Sequence, residues 1–184
     1  MTRIDFLKTS IKNLKTVGAV TRSSKFLCKK SISFIDFKEA KLIVELGAGD
    51  GVVTKHILKN MRSDAKLLAF EIIPNMAKLL REINDDRLIV IEDSAEHLAK
   101  DLAEHNTDKV KYISSAIPFV MLPEEEALKI IQACHDNMEE GGVYMQIHYS
   151  LMAKRLYQKI FGNVDVNFVP LNVPPAWVLV SKKQ

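Results

Sequence analysis

The pattern of apolar and polar positions divides the chain in two. From residue 42 onward, short continuous apolar runs alternate with stretches whose apolar residues recur every three or four positions. The runs at 42–46, 66–73, 87–92, 109–114 and 143–148 read as strands. Helices are predicted over 52–61, from Pro74, after Asp93 with Leu98 and Leu102 inward, over 127–138 and over 151–161. Two last strands, 164–169 and 176–180, follow each other with no helix between. Continuous apolar strands alternating with amphipathic helices predict a mostly parallel sheet of seven strands, covered on both faces. The closing strand pair predicts a hairpin, with an antiparallel strand inserted at one edge. Punctuation agrees with this reading. Pro74 suits a first helical position. Glu124, Glu125 and Glu126 suit the positive end of the helix that follows Pro123. Gly141-Gly142 reads as that helix's stop.

The first thirty residues have a different texture. Ile4, Leu7, Ile11 and Leu14 fall at spacings of 3, 4 and 3, one helical stripe over 3–17. Lys8, Lys12 and Lys15 each sit one residue later, about 100° round the helix. Lysines flanking an apolar stripe snorkel when the stripe is buried at an interface. The pattern fits a helix lying on a membrane surface, and equally a terminal helix packed on the domain. Residues 17–24 break the helix, and Ser23 or Ser24 suits the cap of a second one over 25–33. The predicted organisation is a basic amphipathic arm, 1–33, serving as membrane contact or lid, and a single α/β domain, 34–184.

Composition sharpens this. At 184 residues, with 47% hydrophobic and 27% charged residues, the chain suits one globular domain. The net charge of +3 conceals an asymmetry: residues 1–30 carry eight Lys or Arg against one acid, Asp5, while the remainder is acidic. A basic arm on an acidic body points to an anionic partner, either a membrane surface or nucleic acid. No run of 18 apolar residues offers a membrane span, and lysines interrupt any signal-like stretch at the start. Cys28 and Cys134 show no pair spacing, which suits a reducing compartment. The expected location is cytoplasmic and peripheral to a membrane. The five histidines form no zinc-like cluster, so no metal is expected, and no protein partner.

The chemistry is expected at the strand ends. Glu45-Leu-Gly47-Ala48-Gly49-Asp50-Gly51 is a strand, a glycine turn and a helix start, whose free N–H groups suit a ligand. A dinucleotide fingerprint needs glycine at 52, where Val52 stands. Strand two ends at Glu71 and Ile72, with Glu71 twenty residues past Gly51, placed to accept hydrogen bonds from ribose hydroxyls. Strand three ends at Asp93-Ser94. Asp93 suits an adenine amine, and with Glu96 it also reads as a capping pair. Strand four ends in the turn Ser114-Ser115-Ala116-Ile117-Pro118-Phe119.

Together these residues resemble the class I S-adenosylmethionine-dependent methyltransferases, over nearly the whole chain. The resemblance implies a Rossmann-like fold and S-adenosylmethionine as cofactor, leaving as S-adenosylhomocysteine. The cofactor would lie on Glu45, Gly47, Ala48, Gly49, Gly51, Glu71, Ile72, Asp93, Ser94 and Ser115. Two branches compete. The ribosomal-RNA adenine dimethylases share the run from Glu45 to Thr54, but their Asn-Leu-Pro-Tyr motif aligns with Ala116-Ile-Pro-Phe119 here. The bacterial phospholipid N-methyltransferases match better. The segment Val17-Gly-Ala-Val-x-x-Ser-Ser24 is similar to their entry segment, with Arg22 in place of Pro. Ser115-Ala-Ile-Pro118, Gln146-Ile-His-Tyr149 and Asn172-Val-Pro-Pro-Ala176 are similar to three further motifs. This resemblance implies N-methylation of a phosphatidylethanolamine-like headgroup at an anionic membrane, the alternative being methylation of RNA, at an adenine N6, or of a small molecule. Tyr149, and second His148, are the expected catalytic side chains. Trp177 reads as core before it reads as a cation-binding ring.

Overall fold

The computed structural model describes residues 23–184. The amphipathic helix expected over 3–17 and the segment as far as Arg22 lie outside them. Seven strands form one sheet: β1 (Leu42–Leu46), β2 (Lys66–Phe70), β3 (Leu88–Ile91), β4 (Val110–Ser115), β5 (Met138–His148), β6 (Asp165–Val169) and β7 (Ala176–Lys182). Their order across the sheet is β3-β2-β1-β4-β5-β7-β6. β1 to β5 run parallel, and β7 runs antiparallel between β5 and β6. The inserted antiparallel strand is therefore borne out, with β6 as the edge.

Among the described residues six α-helices cover the sheet: α1 (Lys25–Ile32), α2 (Val52–Asn60), α3 (Pro74–Arg81), α4 (Leu98–Glu104), α5 (Glu124–Asp136) and α6 (Lys154–Phe161). Strand residues alternate between two cores. Ile43 and Leu67 join Leu27, Val53 and Ile57, from α1 and α2. Val44, Leu46, Leu68 and Phe70 join Leu98, Ile131 and Leu156, from α4, α5 and α6. Period-two alternation on central strands supplies both faces at once. No helix among the described residues is long and apolar enough to cross a membrane.

Three sequence expectations need correction. Gly141-Gly142 does not stop the helix. α5 ends at Asp136, and the two glycines lie inside β5, where the register against β4 shifts between Val110 and Tyr112. Gly141 has φ of +73°, and a Cβ on Gly142 would come within 2.8 Å of the Glu139 carbonyl. The pair makes a bulge, which in the sequence looks like a helix stop. Strand two ends at Phe70, three residues early, because Glu71 turns its carboxylate onto the following backbone. Asp93 does not cap through Glu96. Ser94 is the cap of the short 3-10 turn, its side chain accepting from the Glu96 N–H.

Candidate active site

The sheet order reverses between β1 and β4, and the crevice at the carboxyl ends of parallel strands there is where ligands sit on such folds. β1 runs into the glycine turn. Gly47, Gly49 and Gly51 have φ of +69°, +59° and +80°, the left-handed region that costs side chains about 1–2 kcal/mol. The turn folds back on β2: the Gly47 and Ala48 N–H groups both donate to the Phe70 carbonyl, at 2.9 and 3.1 Å. A Cβ on Gly47 would press on Ile117 at 3.2 Å, so this glycine lets the turn pack on the loop after β4. A Cβ on Gly49 would meet nothing within 4 Å. Gly49 thus borders open space in the crevice.

Two buried carboxylates flank the turn. Glu71 Oε2 accepts the Gly49 N–H at 2.8 Å, and Oε1 accepts the Ile73 N–H at 2.8 Å. Burial pushes the Glu71 carboxyl above its ordinary range, while the Ile73, Gly49 and Ile72 N–H groups pull it back. With three N–H donors on its four acceptor sites, the carboxylate keeps room for a ligand hydroxyl. Glu45 is buried under the turn, its Oε2 accepting the Thr54 hydroxyl at 2.7 Å. Its pKa rises to about 8, chiefly through burial, against the Thr54 hydrogen bond. Asp93 lies at the rim. Burial works to raise its carboxyl, but His97 Nδ1 at 2.9 Å and the Ser94 N–H outweigh that and hold it below the usual range.

On the other side of the reversal, Ser115 ends β4, buried, with its Oγ near the Ile117 N–H at 3.4 Å. The turn it begins is held by a residue absent from the expected site, Gln146 of β5. This fully buried amide donates from Nε2 to the Ile117 carbonyl at 3.0 Å and to the Ile147 carbonyl at 2.8 Å, and its Oε1 accepts the Tyr144 hydroxyl at 3.0 Å. The signal was available: a lone amide inside the otherwise apolar run 143–147 needs partners. β5 then delivers His148 and Tyr149 to the crevice edge. They differ from each other sharply. His148 is buried rather than a surface imidazole, its Nε2 2.8 Å from the Tyr157 hydroxyl, and burial lowers its pKa to about 4. Tyr149 is 37% exposed. Trp177, the second residue of β7, lies opposite His148, half-buried, with its ring 5.3 Å from that of Phe168. The structure therefore brings Gly47–Gly51, Glu71, Ile72, Asp93, Ser94 and Ser115 to one edge, with His148 and Tyr149 beyond β4. Among the described residues no cluster suits a metal ion.

The open cradle at Gly49 beside a carboxylate with free acceptor capacity fits the ribose and amino-acid parts of S-adenosylmethionine. No family model matches the chain. It is 28% identical over 174 residues to an ornithine lipid N-methyltransferase of Singulisphaera acidiphila, covering 93% of this chain and 91% of that one. It is 33% identical over 79 residues to ribosomal RNA small subunit methyltransferase A of Thermotoga neapolitana, covering 42% of this chain and 29% of that one. Among solved structures, precorrin-6y C5,15-methyltransferase of Geobacter metallireducens superposes with a TM-score of 0.66 at 14% identity, covering 86% of this chain and 88% of that one. Magnesium protoporphyrin IX methyltransferase of Synechocystis, with bound S-adenosylmethionine, superposes with a TM-score of 0.65 at 10% identity, covering 100% and 85%. The lipid enzyme matches end to end where the RNA enzyme matches a fragment, in agreement with the resemblance read from the motifs. The sheet order, the glycine turn and these likenesses give the chain the Rossmann-like class I fold of the S-adenosylmethionine-dependent methyltransferases.

Proposed function

We propose that this chain is an S-adenosylmethionine-dependent N-methyltransferase acting on the amine headgroup of a membrane lipid, peripherally at the membrane surface. The observation that carries this reading is the likeness to an ornithine lipid N-methyltransferase along nearly the full length of both chains. The cofactor would supply a methyl group on a cationic sulfur, already activated for in-line attack. The work of the chain is then to position and to exclude water. In this reading Glu71 holds the ribose hydroxyls, Asp93 and Ser94 the adenine edge, and the turn at Gly47–Gly51 with Glu45 the amino-acid end. Ser115 and the turn after it, clamped by Gln146, wall the place where the methyl is passed.

The lipid amine must be neutral to attack. With a pKa near that of lysine, about 10.4, losing its proton at pH 7 costs roughly 4–5 kcal/mol. Tyr149, exposed just after β5, would accept a hydrogen bond from the amine and orient its lone pair while the proton passes to water. His148 is too weak a base for the proton, because burial holds it neutral. Its role in this reading is to seat the end of β5 through Tyr157. Residues 1–30, with their excess of Lys and Arg, would hold the enzyme on anionic lipid, at about 1 kcal/mol per well-placed cation.

The test is incubation with methyl-labelled S-adenosylmethionine and, in separate arms, phosphatidylethanolamine vesicles, ornithine lipid vesicles and ribosomal RNA. Label is expected in a lipid arm. Label in RNA alone overturns the reading.

A further inference from the structure

The exposed apolar side chains of this chain are not scattered. β6 lies antiparallel to β7, which lies antiparallel to β5, so β6 points the same way as the parallel strands. The loops after β4, β5 and β6 therefore all open on the edge of the sheet that carries the glycine turn. Of the ten large hydrophobic residues exposed among those described, six stand on these loops: Val120, Tyr149, Leu151, Met152, Leu171 and Val173. Met152 and Val173 are 79% and 78% exposed. Exposed apolar side chains gathered at one edge of a fold mark an interaction site, and these stand on the acceptor side of the crevice.

The basic arm joins the chain at the same place. The Ser24 N–H donates to Asn172 Oδ1 at 2.8 Å, and the Ser24 hydroxyl donates to the Leu171 carbonyl at 3.0 Å. Ser24, the residue the basic arm leads into, is thus tied to the apolar loop between β6 and β7. Apolar side chains that enter the acyl region, next to cations that meet anionic headgroups, are the two halves of a peripheral membrane contact.

We infer that the apolar rim formed by the loops after β4, β5 and β6 inserts into an anionic lipid bilayer and seals the crevice against it. This deepens, and rests on, the lipid N-methyltransferase reading. It assigns membrane docking to the body of the domain as well as to the arm. A headgroup amine then enters the crevice from the bilayer without crossing water.

The chain contains one tryptophan, Trp177, at the start of β7 on the rim. Its fluorescence is the probe. The full-length protein is mixed with phosphatidylethanolamine–phosphatidylglycerol vesicles whose acyl chains carry bromine. Quenching of Trp177 is expected, because rim insertion brings the ring to the acyl boundary, whereas attachment by the arm alone leaves it away from the acyl chains. Met152→Glu with Leu171→Glu is expected to abolish quenching and weaken vesicle binding about ten-fold or more. Methylation of a water-soluble short-chain aminolipid should stay within about two-fold of wild type, and the melting temperature should hold. Absence of quenching in the wild type overturns the inference. So does a double variant that binds vesicles and methylates their lipid as wild type does. So does a wild-type dimer that the double variant splits while vesicle binding persists, since the rim would then be a subunit contact. If neither vesicle lipid nor short-chain lipid is methylated, the functional reading fails, while Trp177 quenching still decides the docking surface.

Discussion

Asn172 and Ser24 stand 148 positions apart in the sequence and are joined in the fold: Asn172 Oδ1 accepts the Ser24 N–H at 2.8 Å, and its Nδ2 donates to the Pro174 carbonyl at 2.7 Å. Asn172 is buried, so both partners depend on it. The cap residue of α1 and the loop between β6 and β7 are a single unit. Ser24, the last residue of one sequence motif, and Asn172, the first of another, meet in the fold.

Asn172→Ala leaves the Ser24 N–H and the Pro174 carbonyl without their partner. A loss of about 2–4 kcal/mol is expected from two such groups, read as a fall of several degrees in melting temperature. Limited proteolysis should cut near residue 23 faster in the variant, because the start of α1 is released.

Glu71 and Gly49 are expected to carry cofactor affinity. Glu71→Ala removes a carboxylate that holds the turn and, in the proposed site, the ribose. Hydrogen bonds to a charged group are worth about 1.5–3 kcal/mol, so titration calorimetry should show a roughly 10–100-fold weaker S-adenosylmethionine complex. Gly49→Ala meets no protein atom within 4 Å. Its methyl group instead enters the crevice at a left-handed φ, so binding should weaken while the melting temperature falls only modestly. Full affinity in both variants would remove the ribose assignment.

Glu45 and His148 should shape stability against pH in opposite senses. Burial raises Glu45 to about 8 from a usual value near 4.5, so the folded chain holds an extra proton between those values. Its contribution is complete below pH 4.5 and is lost as pH rises through about 8. Glu45→Gln should flatten that alkaline decline in urea unfolding midpoints.

His148 is lowered to about 4 from 6.5. Here the unfolded chain holds the extra proton, so stability is intact above pH 6.5 and falls as pH drops towards 4, by about 3 kcal/mol at 1.36 kcal/mol per unit. His148→Asn should shrink this acid-side decline, at the cost of the Tyr157 contact at pH 7. An unchanged acid limb in unfolding measurements between pH 7 and 4.5 would place the His148 ring in water.

Gln146 is expected to act on turnover. Gln146→Leu is similar in size but removes the amide that ties the Ile117 carbonyl to β5, leaving that carbonyl the Phe119 N–H alone, and takes the Gln146 acceptor from the Tyr144 hydroxyl. The turn after β4 is then free to shift, and 1 Å at such a wall is costly. We expect kcat to fall ten-fold or more, with a smaller change in the KM for S-adenosylmethionine, because Gln146 makes no hydrogen bond to the Gly47–Gly51 turn and reaches it only through Ile117.

The strands, helices and glycine turn were legible in the sequence because each is a local matter. Period-two and period-3.6 patterns, Pro74 at a helix start and a Glu at the end of each of the first two strands act within a few residues of themselves. The local reading failed where one residue type serves two local purposes. Gly141-Gly142 suits a helix stop and a strand bulge alike, and only the register of β5 on β4 decides between them. What lay wholly in the tertiary structure was adjacency. Nothing in the sequence places Gln146 on the Ile117 carbonyl, buries His148 against Tyr157 beside an exposed Tyr149, or ties Ser24 to Asn172. The antiparallel insertion of β7 settles the last of these, since it turns the loop after β6 towards the cofactor edge and gathers the apolar residues of three separate loops on one rim. Local preference sets which elements form, and the order in which the sheet stacks them sets which side chains share a site.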